Sequence, residues 1–296
     1  AIESLRVMIF RRSGEPLSNE LFTGLSITDP ITIQTTTGER VLVIVANEPV
    51  SITDNLTGFK TLGQVGTTTL ADAFTQGGLL PFVYQTDLVV KETGNTPISA
   101  KLERVASKVA MQINKSDELA AVEVKLLEVQ LIRMARCSYL LPLSTGDWVA
   151  SGGDGSSLVD MPTTDFTADN VLSVETPKTV TFDSYIYEYN AGQTEQTATA
   201  LRVKILNNGV QKEYILPFFY NKDGQKHYGI ARNSYITIQA MVYPKGIRIE
   251  KYTVDKWESQ APWDKELGLG DDEQDGNTSI EGWIDDDGRI VIEGLT

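Results

Sequence analysis

The chain has 296 residues, 41% hydrophobic and 22% charged, enough apolar material for two cores of moderate size and too ordinary a balance for disorder. Its 40 acidic against 26 basic residues leave a net charge of −14, a field that repels phosphate backbones and anionic lipid head groups and argues against nucleic acid as a partner. No apolar run approaches the about 20 residues of a membrane-spanning helix. The one cysteine, Cys137, allows neither an intramolecular disulfide nor a cysteine metal cage.

The first element is a strand. Leu5, Val7 and Ile9 alternate with Arg6, Met8 and Phe10, and the run ends in a polar turn at Arg11–Glu15 that contains Gly14. Ile31–Ile33 and Val41–Asn47 are β-branched runs separated by Thr37-Gly38-Glu39, a hairpin connection, and the second run reads as buried on both faces. From Ser51 to Gly78 the pattern loosens. Leu70, Ala73 and Phe74 there suit one short helix over Thr69–Phe74. Strand character returns at Phe82–Val90, Ile98–Ile113 and Val122–Met134. Within the middle run, Leu102–Ala110 carries a helix-like composition, but Val105, Ser107 and Val109 keep a period of two and give a strand.

Ser151-Gly152-Gly153-Asp154-Gly155-Ser156-Ser157 is a polar, flexible composition of the kind that joins domains. It divides an N-terminal β-sandwich, residues 1–148, from a C-terminal one, residues 149–258. Further strands are expected at Val180–Tyr189, Ala198–Leu206, Glu213–Phe219, Ser234–Val242 and Ile247–Tyr252. Asn207-Asn208-Gly209 and Asn221-Lys222-Asp223-Gly224 supply hairpin turns, because Asn and Gly tolerate positive φ. Residues 259–296 form a tail. An acidic tether, Gly268–Asn277, precedes two strand signals, Ser279–Ile284 and Arg289–Gly294, around the turn Asp285–Gly288.

Signals for chemistry are weak, and an enzyme is the least supported class. The lone His227 sits in an expected hairpin turn with no second histidine for a zinc site or a triad, and reads as a solvated turn residue. Cys137, beside Tyr139 and Leu140, reads as a buried, inert thiol. Asp271, Glu273, Asp275 and Gly276 imitate the opening of a calcium loop. Position twelve, however, falls on Gly282, and Thr278 replaces the apolar residue, so no metal ligand is assigned. Asp285–Asp287 reads as a solvated turn, and no cofactor is expected. Tyr185, Tyr187 and Tyr189 alternate along a strand, as a sugar-stacking face or as an ordinary, partly exposed sheet face.

Four segments in order resemble the type V pilus fimbrillins, the major fimbrial subunit family of Bacteroides and Porphyromonas. They are Ser4–Phe10 before a Ser-Gly turn, Val43–Glu48 ending in Ala-Asn-Glu, Leu102–Val109 with its Leu-Glu-Arg run, and Ala231–Ile238 with its Arg-Asn-x-Tyr run. Ser234 departs from the aromatic residue or His expected in the fourth. The resemblance implies two transthyretin-like β-sandwich domains with Greek-key-type antiparallel sheets, and one or two short helices in the first. It also implies export as a lipoprotein and removal of an N-terminal strand by an arginine-specific surface protease, a processed form that a start at Ala1 fits. The groove so vacated in the N-terminal sandwich accepts a strand from a neighbouring subunit.

Residues supply a donor for that groove. Arg289, Ile290, Val291, Ile292, Glu293, Gly294 and Leu295 follow the tether, with Ile290, Ile292 and Gly294 on one face and Val291, Glu293 and Leu295 on the other. Ile280, Trp283 and Ile284 form a second donor segment. The expected function is a structural subunit that polymerises into an extracellular fimbrium at the bacterial outer membrane by donor-strand exchange, supporting adhesion and biofilm formation. Its partners would be identical subunits, anchor and tip or accessory pilins, and a host surface ligand. Two alternatives stand beside it: a tip or accessory adhesin binding a host glycan or protein, and an anchor, which would keep its lipidated N-terminus. The tail itself has a second reading, a terminal hairpin folded onto its own second domain.

Overall fold

Period-two alternation and β-branched residues build nearly every element, because a pleated strand sends successive side chains to opposite faces and each apolar face must be covered. The structure, a computed structural model, describes residues 2–24, 31, 33–71, 74, 78–92, 96, 98–142, 158–192, 194–222, 225–256, 280–285 and 290–291. The first stretch contains β1 (Ser4–Arg11), β2 (Pro16–Thr23), β3 (Gly38–Ala46), α1 (Val50–Gly58), α2 (Leu62–Gly66), β4 (Thr69–Leu70), β5 (Phe82–Val90) and β6 (Glu103–Arg104). There follow β7 (Ala106–Lys115), β8 (Val124–Ile132), β9 (Met134–Ala135) and β10 (Ser138–Tyr139). Five short strands come next: β11 (Leu158–Val159), β12 (Thr164–Asp165), β13 (Lys178–Thr181), β14 (Ile186–Tyr187) and β15 (Tyr189–Gly192). Longer hairpins complete the chain with β16 (Ala200–Asn207), β17 (Val210–Pro217), β18 (Tyr220–Lys222), β19 (Gln225–Ile230), β20 (Ser234–Tyr243) and β21 (Gly246–Lys256). Last are β22 (Ile280–Asp285) and β23 (Ile290–Val291).

The all-β class expected from the sequence is borne out, with two short helices in the N-terminal part. Those helices lie earlier than expected. Thr69–Leu70 is strand, while α1 buries Ile52 and Leu56 one turn apart, and α2 starts in a capping box in which Thr61 and Gln64 bond each other's backbone. β2 fills the stretch after the first turn, where the sequence reading has no strand. Ile31 and Ile33, expected in a strand, lie outside one.

In the first sandwich the sheet runs β2-β1-β3-β5-β6, all antiparallel. Met8, Phe10, Val41, Val43 and Val45 face a core shared with Ile52, Leu56, Leu70, Leu102 and Leu140. On the opposite face Val7, Ile9 and Leu42 are buried beneath half-buried Leu17, Phe22, Ile33, Tyr84 and Leu88. β3 is thus buried on both sides, as its unbroken apolar run requires.

The second sandwich begins well before the expected boundary at residue 148. β7 and β8 lie in its core, which holds Val109, Met111, Leu126, Val203, Ile236 and Ile238. One sheet runs β12-β8-β16-β17. The other runs β13-β7-β20-β21-β22-β23, with β14 also on β7. The pairing is antiparallel, as expected, except between β7 and β20, which run parallel from Tyr235 opposite Lys108 to Val242 opposite Lys115. The chain then returns to the first core. β10 pairs with β4, and Leu140, Tyr187 and Tyr189 are buried there. Each core therefore draws on strands from before and after residue 148, because core membership is set by which strands pair.

Between β16 and β17, Asn208 and Gly209 adopt φ of 50° and 77°, the double positive-φ turn whose twist matches that of the flanking strands. No atom lies near the position of a Cβ at Gly209, so only the backbone conformation opposes substitution there. Gly209→Ala is expected to lower stability by about 1 kcal/mol, read from the midpoint of urea unfolding.

Burial pushes the Tyr252 phenol far above its ordinary value near 10. Burial, then the 2.9 Å hydrogen bond from its hydroxyl to Glu195, does the same to Tyr228. A raised folded-state pKa stabilises the neutral form, so this contribution is complete below the unfolded phenol value of about 10 and is lost as pH rises through the folded values. The second sandwich is expected to unfold at strongly alkaline pH. Tyr252→Phe should move that transition to higher pH, followed by far-ultraviolet circular dichroism.

Candidate strand-donor and strand-acceptor sites

The four segments that carry the family resemblance meet in space as two polar interlocks. In the first, β1 and β3 lie side by side with Leu5 opposite Ala46. The Arg6 guanidinium donates to both Glu48 oxygens at 2.6 and 2.8 Å, and to the Asn19 side chain at 2.9 Å; the Arg6 and Glu48 side chains are 3% exposed. Asn47, at φ 52°, accepts from the Glu3 backbone at 2.8 Å through its side-chain oxygen and donates to the Leu80 carbonyl at 3.2 Å. A short polar side chain that tolerates positive φ is needed there, which explains the Ala-Asn-Glu ending.

The second interlock joins the sandwiches. Asn233, at φ 55°, accepts from the Arg104 backbone at 3.2 Å, and its own N–H donates to the Ala106 carbonyl at 3.1 Å. The Ser107 hydroxyl donates to the Ala231 carbonyl at 2.5 Å and accepts from the Ser234 N–H at 3.1 Å. Ser234, the departure from the expected aromatic residue, is buried; it makes this bond through its backbone N–H, while its own hydroxyl donates to the Arg232 carbonyl at 3.3 Å. Arg232 pairs with Glu188 and donates to the carbonyls of Tyr139 and Leu140, each at 2.9 Å. The Arg232 and Glu188 side chains are 7% and 8% exposed.

Strand edges are the other chemically active feature, because an unpaired row of N–H and C=O groups recruits another strand. β6 covers only Phe82 and Val83 of β5, so residues 84–90 have no strand on that side among the described residues. On this edge Tyr84 and Leu88 are half-buried while Gln85, Asp87 and Val89 are exposed, Val89 by 66%. The second layer of the first sandwich is thin, since β4 and β10 are two-residue strands.

At the end of the chain, β22 pairs antiparallel with β21, Ile284 opposite Ile247 and Trp283 opposite Arg248, and β23 pairs with β22. The expected second donor segment, Ile280, Trp283 and Ile284, is therefore strand within its own chain. Of the expected donor, Ile290 and Val291 form β23, the last strand of its sheet. Arg289, Ile292, Glu293, Gly294 and Leu295 lie outside the described residues, as do Ala1 and the acidic tether.

The remaining sequence candidates lose their chemistry. Tyr187 and Tyr189 are buried in the first core, with Phe74 against Tyr187 edge-on at 5.8 Å, so the tyrosines make no sugar-stacking face. His227 lies in β19 opposite Tyr220, in strand rather than turn. Cys137 is half-buried between β9 and β10, less enclosed than expected. No metal-binding cluster occurs among the described residues, and no helix among them is long and apolar enough to cross a membrane.

Solved structures share this architecture. The tip fimbrial protein Mfa3 of Porphyromonas gingivalis, with a C-terminal truncation, aligns at a TM-score of 0.58 and 15% identity, covering 86% of this chain and 94% of that one. A fimbrilin (FimA) from the same species aligns at 0.53 and 13%, covering 81% and 83%. The fold is therefore of the fimbrilin class. Residues 1–124 match the family described as major fimbrial subunit protein (FimA). The major fimbrium subunit FimC of P. gingivalis is 25% identical over 268 residues, 83% of this chain and 54% of that protein, so the chain spans about half the length of the curated relatives it matches. The chain is thus similar to the major fimbrial subunit family over its first 124 residues, in keeping with the order of its four segments.

Removing one partner of the buried Arg232–Glu188 pair strands a charge. Arg232→Ala is expected to lower stability by about 3–5 kcal/mol and to raise protease sensitivity at the junction, measured by urea unfolding and limited proteolysis.

Proposed function

We propose that this chain is a structural subunit of a type V pilus, polymerising by donor-strand exchange: the tail of one copy completes the N-terminal sandwich of the next. The observation that carries the reading is the tail. β22 needs about two to five residues to follow β21 as an antiparallel neighbour, yet residues 257–279 separate them. A connection of that many residues exceeds what a neighbouring strand requires and suits a hairpin that engages another molecule. Donor and acceptor surfaces differ, so the contact is heterologous and propagates as an open filament. The match of residues 1–124 to the major fimbrial subunit family, and the name of the FimC relative, support the same assignment.

In this reading the fimbrium is extracellular and attached to the outer membrane, and it supports adhesion and biofilm formation. The precursor is exported as a lipoprotein and trimmed by an arginine-specific surface protease. Anchor and tip or accessory pilins, and a host surface ligand, complete the set of partners.

A second reading, a tip or accessory adhesin, is favoured by one observation: β22 lies against β21 of its own chain, as it would in a subunit that donates nothing onward. The fold likeness to a tip fimbrial protein agrees with it. Electrophoresis without boiling and electron microscopy separate the two. The intact chain is expected to give a heat-labile ladder and fibres under assembly conditions, and a chain ending before Thr278 to remain monomeric. Monomers from both would favour the adhesin; fibres from both would move the donor elsewhere.

A further inference from the structure

We infer that the acceptor is the open edge of β5 and that the tail strand of a second copy joins it in parallel register, Arg289 beside Asp87 and Glu293 beside Lys91. The inference rests on the polymerisation reading and names its contact.

Two independent features of β5 point to an incoming strand. Residues 84–90 present an unpaired backbone edge among the described residues, and on that edge Val89 stands 66% exposed, against 42% for Leu21 of β2 in the same sheet. Asp87 and Lys91 are exposed on either side of it, with no ion-pair partner among the described residues. The occupant follows from the pattern Asp87-Leu88-Val89-Val90-Lys91 set against Arg289-Ile290-Val291-Ile292-Glu293. In parallel register centred on Val89 and Val291, opposite charges meet at both ends and three apolar pairs lie between them. Ile290 and Ile292 then extend the face on which Leu88 packs with Leu42, while Val291 covers Val89. The antiparallel register with the same centre sets Arg289 beside Lys91 and Glu293 beside Asp87, two like-charge contacts, so charge selects the direction.

Other long open edges fit less well. β2 offers Ser18-Asn19-Glu20 with no apolar run, and β17 sets Pro217 against Glu293 when Arg289 lies beside Glu213. The tail has a matching free side: β23 is bonded on one edge to β22 and faces no strand on the other among the described residues. It can join β5 of a second copy without leaving its own sheet.

The test uses the full chain under assembly conditions. Asp87→Arg and Arg289→Asp, each folded by circular dichroism, are expected to weaken assembly about fivefold, read as the concentration needed for a half-maximal heat-labile ladder, and the double exchange to restore it. In a Cys137→Ser background, Val89→Cys with Val291→Cys should give a disulfide-linked ladder under oxidation, and neither single cysteine should. Single exchanges that assemble like the parent, or a double exchange that fails to recover, overturn the β5 register. If the chain ending before Thr278 remains monomeric in that case, polymerisation by the tail stands and only its acceptor is wrong. A parent chain that never assembles, or a truncated chain that does, overturns both.

Discussion

β7 runs parallel to β20 for eight residues, from Lys108 beside Tyr235 to Lys115 beside Val242, and this pairing constrains everything around it. A parallel neighbour cannot be reached through a tight turn, so the chain between the two strands must make a long excursion. It spends that excursion covering both cores: β8 and β16 build the facing sheet of the second sandwich, while β10, Tyr187 and Tyr189 return to the first. The cost is slow, non-local pairing. The return is two sandwiches that share strands' ends and cannot separate as beads on a linker.

The polar interlock beside that pairing makes the junction rigid. Ser107, Arg232 and Asn233 sit at the starts of β7 and β20 or just before them, and each bonds backbone of a segment distant in sequence, the Asn233 side chain accepting from the Arg104 N–H. Buried charges contribute little net stability when paired, but they penalise every other arrangement of the two sandwiches. Under the proposed polymerisation, such a fixed geometry would repeat the spacing between donor and acceptor from copy to copy.

Strand edges carry the functional argument because side-chain chemistry does not. The titrations that burial displaces belong to tyrosines and an arginine engaged in the second sandwich, such as Tyr252 against Phe218 and Phe219. In the proposed assembly, specificity between copies rests on backbone pairing, a few aliphatic side chains and the order of charges along two short strands. The surplus acidity of the chain makes that order matter, since most juxtapositions of two such surfaces bring like charges together.

Local patterns were legible in the amino-acid sequence. Alternation announced β1, and runs of β-branched and apolar residues announced β3, β5, β8, β16 and β20; Asn208-Gly209 announced its hairpin; and the four ordered segments announced the fimbrillin resemblance. Thr61-Leu62-Gly63-Gln64 also marked α2, a capping box overlooked in favour of the apolar spacing at Leu70–Phe74. What only the tertiary structure decided is how those strands were shared. Whether Leu102–Val109 served the first core or the second, why Arg232 and Asn233 stood together, and that Tyr187 and Tyr189 pointed inward all depended on residues more than a hundred positions away or on a returning strand. A period of two records that a strand has a covered face, but not which part of the chain covers it, because any apolar surface satisfies that demand.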